Sequence, residues 1–378
     1  MRNIFVAEKV DTRPPDPVFT GVMVLLAGLG AAFLFSASYY YGELKFGNSY
    51  HFLLKRGVFL LLGGVGFLAA ARISLEVLRK MVAPFLLLSG FTLLLPFVPG
   101  IGGELMGARR WVFLFGNSFQ PSELAKLALI VYLAHFFSKK KDRLDDLVNT
   151  VLPPLIITAL FAFIIYSQND FSTAFFLVAV SGAIFFVSGV KLSYFLFLMT
   201  AIIPLGAMLI FTKEHRVQRI IAFLQPELDP VGTGYQVIAA RDALEKGGFM
   251  GAGLGHGTEK IGGLPEAHSD FVFAVLAEEA GLLGVLAIIT VFVIFAVRGY
   301  GIALKSGDSF SFLLGFGCVS AIFLQALFNM AVVAGLVPAT GIPLPFFSSG
   351  GSSLIITMIM CGLLHNISRS DTRQGGLR

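Results

Sequence analysis

Two acids and a histidine lie at the start of a long apolar segment in "LPEAHSDFVF", residues 264–273. Glu266 and Asp270 are four residues apart and share one face if a helix begins here, with His268 between them. Helix capping would account for only one of these acids. A carboxylate in low-dielectric surroundings has a raised pKa, which suits a general base. The same carboxylate, Asp270, could instead coordinate a divalent cation, Mg²⁺ or Mn²⁺.

A second charged pair lies in "FQPSELAKL". Glu123 and Lys126 are three residues apart and therefore share a helix face. The residues Gln120-Pro121-Ser122 just before them are typical of a helix start. Two interpretations stay open: an ion pair that holds this helix inside a bundle, or the charged wall of a substrate cavity.

Two further polar groups flank predicted apolar segments. In "GARRW", Arg109 and Arg110 adjoin the single tryptophan, a combination suited either to binding pyrophosphate or to anchoring at a membrane interface. In "SQNDFSTAFF", Asp170 lies in a very short turn, where it could cap the next helix or contact a substrate.

A glycine-rich run, "GGFMGAGLGHG", occupies residues 247–257. It superficially resembles a nucleotide-binding loop, but such a pattern is weak without a preceding strand. Glycines such as Gly253 and Gly255 instead allow a backbone to approach a ligand closely or to offer N–H groups to an anion. We therefore predict substrate contacts here and no organic cofactor.

The composition indicates a membrane protein. Hydrophobic residues make up 56% of the 378 residues and charged residues only 13%, with a mean hydropathy of +0.82. A soluble domain of this size needs more polar surface than that. The net charge of +5 fits basic cytoplasmic loops and an anionic lipid surface, so no nucleic-acid partner is predicted. The two cysteines, both within apolar runs, indicate small buried side chains rather than a disulfide or metal site.

We predict an all-α fold, a single transmembrane domain over 1–378 with about ten spans. The predicted spans are 18–40, 52–71, 81–98, 119–137, 151–166, 172–189, 191–212, 269–297, 309–335 and 349–367. An even number places both termini on one side. With both termini in the cytoplasm, the cytoplasmic pieces hold sixteen Lys and Arg residues and the short outer pieces five, which supports cytoplasmic tails at 1–17 and 368–378.

Two non-span segments are unusual. The connection 213–268, between spans seven and eight, is far longer than a normal turn and is predicted to be extracytoplasmic. Within it, 236–246 is predicted to form a short helix on the outer membrane surface, with Val237, Ile238 and Leu244 apolar. The segment 337–353, "VPATGIPLPFFSSGGSS", cannot be a regular helix and is tolerated at membrane depth only when it is buried or lines a cavity.

These motifs together resemble the shape, elongation, division and sporulation (SEDS) family, the FtsW/RodA group. The resemblance covers nearly the whole chain in order, through "FSAS", "GARRW", "FQPSELAKL", "NDFSTA", "GAGLGHG", "LPEAHSDFVFAVLAEEAGLLG" and "TGIPLPFFSSGGSSL". The alanine in "LPEAHSDF" and the ending "LLHNISR" are more similar to the FtsW-like branch. In one departure, Ser349 occupies a position where many members have a tyrosine before the two glycines, so no tyrosine hydroxyl can act there.

The resemblance implies a peptidoglycan glycosyltransferase of the bacterial cytoplasmic membrane that polymerises lipid II on the outer face. It also implies a class B penicillin-binding protein, a transpeptidase, as membrane partner, together with other division or elongation proteins. The aspartate matching Asp270 is the one held essential for polymerisation in the family. Arg109, Glu123, Lys126 and Asp170 match family motif positions with less defined roles.

Two other classes of function remain open at this stage. A lipid flippase or transporter would also carry intramembrane charges and a proline-broken span, although the chain shows no internal repeat. A non-catalytic scaffold for a transpeptidase would not need the acids at 266 and 270. The clustering of polar groups on one predicted membrane side favours the enzyme.

Overall fold

The computed structural model describes residues 14–105, 107–114, 116–229, 232–261, 264 and 267–369. Its helices are α1 (Pro17–Phe46), α2 (His51–Arg72), α3 (Leu75–Lys80), α4 (Val82–Leu94), α5 (Pro121–Lys139), α6 (Leu152–Ser167), α7 (Phe171–Val187), α8 (Leu192–Phe211), α9 (Glu214–Leu224), α10 (Thr233–Gly247), α11 (Val272–Leu304), α12 (Ser309–Val333) and α13 (Gly351–Arg369).

The protein is a multi-pass α-helical membrane protein. Each of the ten predicted spans overlaps one helix: α1, α2, α4 to α8, and α11 to α13. Among the described residues, six helices are both long and apolar enough to cross a bilayer, and two shorter apolar helices accompany them. The count of ten spans and the cytoplasmic position of both termini stay predictions.

Helices α5, α12 and α13 form the most buried part of the bundle. Between α2 and α13 the contact depends on small residues, as is common where membrane helices approach closely. A Cβ on Gly362 would lie 2.4 Å from the carbonyl oxygen of Phe67, and one on Gly63 would lie 3.0 Å from Met358 Cγ. Larger residues at these two glycines would force the helices apart.

A small antiparallel sheet is the one departure from an all-α fold in the described residues. Its strands, β1 (Gly102–Leu105), β2 (Ala108–Leu114) and β3 (Asn117–Phe119), pair in the order β1-β2-β3. Gly107 and Gly116 lie at the two turns with φ of 74° and 75°, a conformation that favours glycine. The sheet places the "GARRW" residues on a strand directly before α5.

The segment between α12 and α13 is non-helical through residue 350, which confirms most of the prediction for 337–353; the last three of those residues begin α13. Side chains of neighbouring helices satisfy its carbonyl groups. Asn329 donates to the carbonyl of Ile342 (2.9 Å), and Gln325 donates to that of Pro343 (2.9 Å). From α2, the buried Arg56 donates to the carbonyls of Phe346 and Ser348. These bonds stabilise irregular backbone inside a low-dielectric bundle.

The long connection after α8 contains two helices. Helix α10 confirms the predicted helix over 236–246, and its position on the outer membrane surface stays a prediction. Ala239, Ala240 and Ala243 are among its buried residues, and the helix packs against α11. Its alanine face therefore contacts protein. Helix α9 was not predicted at all.

Helix α11 is broken at Gly281, which has φ 63° and ψ −168°. A Cβ there would lie 2.3 Å from the backbone nitrogen of Gly251, so only glycine fits. Just before the break, the buried Glu279 pairs with Lys260 and accepts a hydrogen bond from Ser36 of α1 at 2.6 Å. Contacts around the break thus connect α1, α11 and residues 247–261.

Candidate active site

The start of α5 carries the first charged pair. Pro121 occupies the first turn of the helix, where a missing N–H costs nothing. Lys126 Nζ lies 2.8 Å from Glu123 Oε2, and both side chains are about 95% buried, at 5% and 6% exposure. Lys126 also donates to Gln325 Oε1 of α12 at 2.8 Å. The pair therefore connects α5 and α12, and one face of it borders a cavity.

That cavity is small, with space of about 20 Å³, enough for one water molecule, and both polar and apolar residues line it. It is bordered by Gln120, Glu123, Lys126, Gln325 and Gly341. Both interpretations of the pair therefore agree with the structure: the pair connects two helices, and it lines a small cavity.

Asp170 lies at the start of α7 and has three partners. Its Oδ1 caps the helix by accepting the backbone N–H of Thr173 at 3.2 Å. Its Oδ2 accepts from Arg110 Nη1 and from Gln120 Nε2, each at 3.3 Å. The capping interpretation is correct, and the same carboxylate also joins β2 to the start of α5.

The two adjacent arginines separate on the strand. Side chains alternate between the faces of a strand, so neighbours point in opposite directions. Arg110 faces Asp170, whereas Arg109 pairs with Glu104 at 3.1 Å on an exposed surface. Of the two arginines, only Arg110 therefore lies next to Asp170. A substrate contact by Arg109 stays a prediction.

Asp270 precedes α11 and is partly buried. Its Oδ1 accepts from Ser269 Oγ at 3.2 Å, and its backbone carbonyl accepts from Asn329 at 2.8 Å. On its other side lies Gly341, where an added Cβ would be 3.2 Å from Asp270 Oδ2. Gly341 has φ 69° and also borders the cavity, so it lies between the aspartate and the cavity.

Charges around Asp270 define the site. Burial raises the pKa of Asp270, and the positive charges of Arg110 and Arg219 with the Ser269 hydrogen bond oppose that rise. The nearby Asp170 adds to it. We call Arg110, Asp170, Arg219 and Asp270 the charged cluster. It places a carboxylate with a raised pKa beside two guanidinium groups.

Arg219 was missed by the sequence analysis because α9 was not recognised. The helix carries Arg216 and Arg219 three residues apart, on one face. Arg216 lies over the rings of Tyr166 and Phe171, at 4.6 and 5.2 Å from the ring centroids. The amphipathic sequence "EHRVQRIIAFL" was the available signal. It brings a cation from the long connection to Asp270.

His268 has a different environment. Its ring stacks on Tyr41 with centroids 4.9 Å apart and lies 4.8 Å from the ring of Phe52. Burial, with a smaller effect from the charge of Lys45, lowers the pKa of His268 to about 4, so the ring is neutral near pH 7. Its carbonyl accepts the N–H of Ser349 at 3.0 Å. These contacts describe an aromatic packing role; substrate binding by His268 stays a prediction.

Among the other predicted binding residues, the two glycines of the 247–257 run are not in the charged cluster. Glu266 lies outside the described residues. Gly253 and Gly255, with φ of 96° and 85°, lie in a loop packed against α11. The N–H of Gly253 donates to the carbonyl of Glu279 at 3.0 Å and is therefore used within the protein. Their role in binding remains untested.

The described residues do not by themselves form a site for a divalent cation. Nowhere in these ranges do three His, Cys, Asp or Glu side chains gather as ligands. The positive charges of Arg110 and Arg219 also act on Asp270 and would repel a divalent cation there. A cation at Asp270 stays a prediction, and no step below depends on it.

Comparison with known proteins identifies a family. The family model for FtsW, RodA and SpoVE, described as "Cell cycle protein", matches residues 17–373. A probable peptidoglycan glycosyltransferase FtsW of Geobacter sp. (strain M18) is 41% identical over 353 residues, which cover 93% of this chain and 96% of the relative. The FtsW of Borreliella burgdorferi is 40% identical, covering 92% and 95%. Stage V sporulation protein E of Bacillus subtilis is 34% identical, covering 94% and 97%.

Solved structures agree with the fold. A chain from a structure described as "Structural coordination of polymerization and crosslinking by a peptidoglycan synthase complex" has a TM-score of 0.78 at 26% identity, covering 95% of this chain and 99% of that one. The rod-shape-determining protein RodA of Thermus thermophilus has a TM-score of 0.68 at 24% identity, covering 94% and 96%. The latter likeness concerns the fold alone.

Proposed function

This chain belongs to the FtsW, RodA and SpoVE family, and we propose that Asp270 is the general base with which it polymerises lipid II into glycan strands. The protein is a peptidoglycan glycosyltransferase that serves cell division or cell shape. The single observation that supports the role of Asp270 is its position: Ser269 and Asn329 hold it next to Gly341, where the charges of Arg110 and Arg219 act on its carboxylate.

The proposed step transfers the donor sugar from its lipid pyrophosphate to a hydroxyl of the acceptor sugar. The hydroxyl oxygen of the acceptor sugar forms a bond to the anomeric carbon of the donor, while the bond from that carbon to the lipid pyrophosphate breaks. The hydroxyl proton passes to the Asp270 carboxylate. The pyrophosphate leaves as an anion, and guanidinium groups such as Arg110 and Arg219 stabilise such charge.

The environment of Asp270 suits this task. A general base is most effective when its pKa is near the working pH, and burial moves the pKa of Asp270 in that direction. Ser269 and the backbone bond from Asn329 fix its position.

Location and partners are part of the proposal. We place both termini in the cytoplasm, and Asp270 with the 213–268 connection at the outer face of the cytoplasmic membrane, because both substrates present their sugars there. A class B penicillin-binding protein is the proposed transpeptidase partner. The similarity to a chain of a peptidoglycan synthase complex supports that choice.

The test uses purified protein with its transpeptidase partner and labelled lipid II. Asp270→Asn keeps the side-chain shape and removes the base, so we expect polymerisation to fall at least about 100-fold. Asp242→Asn is the matched control, since Asp242 is exposed on α10 and has no place in the charged cluster. Thermal unfolding of both variants establishes that they are folded. Native-rate polymer formation by Asp270→Asn would remove Asp270 from the mechanism.

The same preparation separates the alternative functions. A flippase would move labelled lipid II across vesicles without forming polymer in detergent. A scaffold would support the partner equally well with Asp270→Asn. The divalent cation is a further proposal: if Asp270 binds one, a chelator abolishes polymerisation and Mg²⁺ or Mn²⁺ restores it, whereas full activity in the chelator argues against it.

A further inference from the structure

Three large apolar side chains are exposed in the loop after α10. Phe249, Met250 and Leu254 are 60%, 74% and 66% exposed, although they belong to no membrane-crossing helix. We call residues 248–254 the apolar loop. Residues 247–257 contain no Asp, Glu, Lys or Arg. Exposed apolar side chains without charged neighbours mark a contact surface.

The apolar loop is attached to the break in α11. The N–H groups of Ala252 and Gly253 donate to the carbonyls of Glu278 and Glu279, at 2.9 and 3.0 Å. In return, Leu282 donates to the carbonyl of Gly248 at 2.9 Å. The loop thus satisfies backbone groups that the break leaves without helical partners. These bonds fix the position of the apolar loop along the axis of α11.

The length of α11 indicates where the break lies relative to the bilayer. Its 33 residues are more than a hydrocarbon core of about 30 Å requires, and the break at Gly281 divides them into two parts. The part after Gly281, up to Leu304, corresponds to about 35 Å and suffices to cross. Before the break, Glu278 and Glu279 are buried with polar partners. The break thus lies near one boundary of the bilayer.

The bilayer-facing surface of α11 continues into the apolar loop. Directly after the break, Leu282, Leu283 and Leu286 are 47%, 45% and 50% exposed on a helix long and apolar enough to cross a membrane. Leu283 also donates to the carbonyl of Phe249 at 3.3 Å. Lipid that covers these leucines therefore adjoins the loop.

We infer that the apolar loop inserts Phe249, Met250 and Leu254 into the boundary between lipid headgroups and acyl chains, next to the break in α11. The occupant of this surface is the bilayer itself. Burial of three large apolar side chains in that region is favourable, and no charge has to be desolvated. The insertion fixes the depth of the segment that leads to Asp270. The inference rests on the membrane fold alone and is independent of the catalytic proposal.

Site-directed spin labelling in lipid nanodiscs tests the insertion. Cysteines are introduced singly as Met250→Cys and Leu254→Cys, and the native Cys318 and Cys361 are buried and will not compete for the label. Asp242→Cys on α10 is the exposed control. We expect oxygen, which dissolves in lipid, to enhance the spin relaxation of both loop labels, and a water-soluble nickel chelate to have little effect on them. The control label should respond to the chelate more than to oxygen.

Two results would overturn the inference. Chelate access at both loop positions equal to that of the Asp242→Cys control means that the loop projects into water. Protection that develops only after the transpeptidase partner is added means that the surface binds a protein instead of lipid. Labelling two positions keeps the test valid if one variant fails to fold, which its thermal unfolding reveals.

Discussion

Arg110 on β2 and Asp170 at the start of α7 form an ion pair with 3.3 Å between Nη1 and Oδ2. The aspartate is 2% exposed and the arginine 21%, so the pair is largely buried. The positive charge of Arg110 also opposes the rise in the pKa of Asp270. The ion pair therefore connects strand β2 and the cap of α7 with the proposed base.

Replacement of Arg110 is therefore expected to cost more activity than replacement of Arg109. Arg110→Gln leaves Asp170 buried without its cation and removes a positive charge beside Asp270, whereas Arg109 pairs with an exposed glutamate. We expect the loss of polymerisation rate for Arg110→Gln to exceed that for Arg109→Gln by about tenfold or more. Initial rates on labelled lipid II measure it; equal losses would show that the two arginines do not differ in role.

The pH dependence of polymerisation follows from the raised pKa of Asp270. A base must be ionised, so the rate should fall as the pH drops through this pKa, above the value of about 4 for a free aspartate. Arg219→Gln removes a charge that favours the carboxylate, so its acidic limb should move to higher pH. Rate profiles of both proteins measure the shift. A limb that stays in place or moves down would exclude Arg219 as a neighbour of the base.

The buried pair of Glu123 and Lys126 predicts a stability effect. Lys126→Met leaves Glu123 as an unpaired buried carboxylate and should reduce the free energy of unfolding by about 3–5 kcal/mol. The double variant Glu123→Leu, Lys126→Met should recover part of that loss, because no lone charge remains buried. Thermal unfolding in detergent compares the variants. No recovery in the double variant would mean that the bond from Lys126 to Gln325 dominates.

Helix α1 offers a matched pair of glycines. A Cβ on Gly30 would lie 1.9 Å from the carbonyl oxygen of Phe346, whereas a Cβ on Gly28 has nothing within 4 Å. Gly30→Ala should destabilise the protein by about 1–3 kcal/mol or more, because the segment before α13 must move. Gly28→Ala should be neutral or stabilising, by up to about 1 kcal/mol. Melting temperatures of the two variants decide; equal values would contradict the close approach of α1 to Phe346.

Short-range patterns in the sequence were enough for several features. Apolar runs predicted the helical membrane class and the position of all ten long helices, because hydrophobic stretches of that length have few alternatives. The start of α5 and the shared face of Glu123 and Lys126 follow from spacing within one helix turn. Proline and glycine content predicted the non-helical segment before α13.

Tertiary structure decided which polar groups meet. The partners Arg110 and Asp170 are 60 residues apart in the chain, and α9 brings Arg219 to Asp270 from 51 residues away. No local pattern specifies such distances, because they depend on how separate helices pack. Adjacent residues Arg109 and Arg110 were equivalent in the sequence until the strand placed them on opposite faces. The sequence by itself thus determined which segments enter the membrane, whereas packing between distant segments determined which charges surround Asp270.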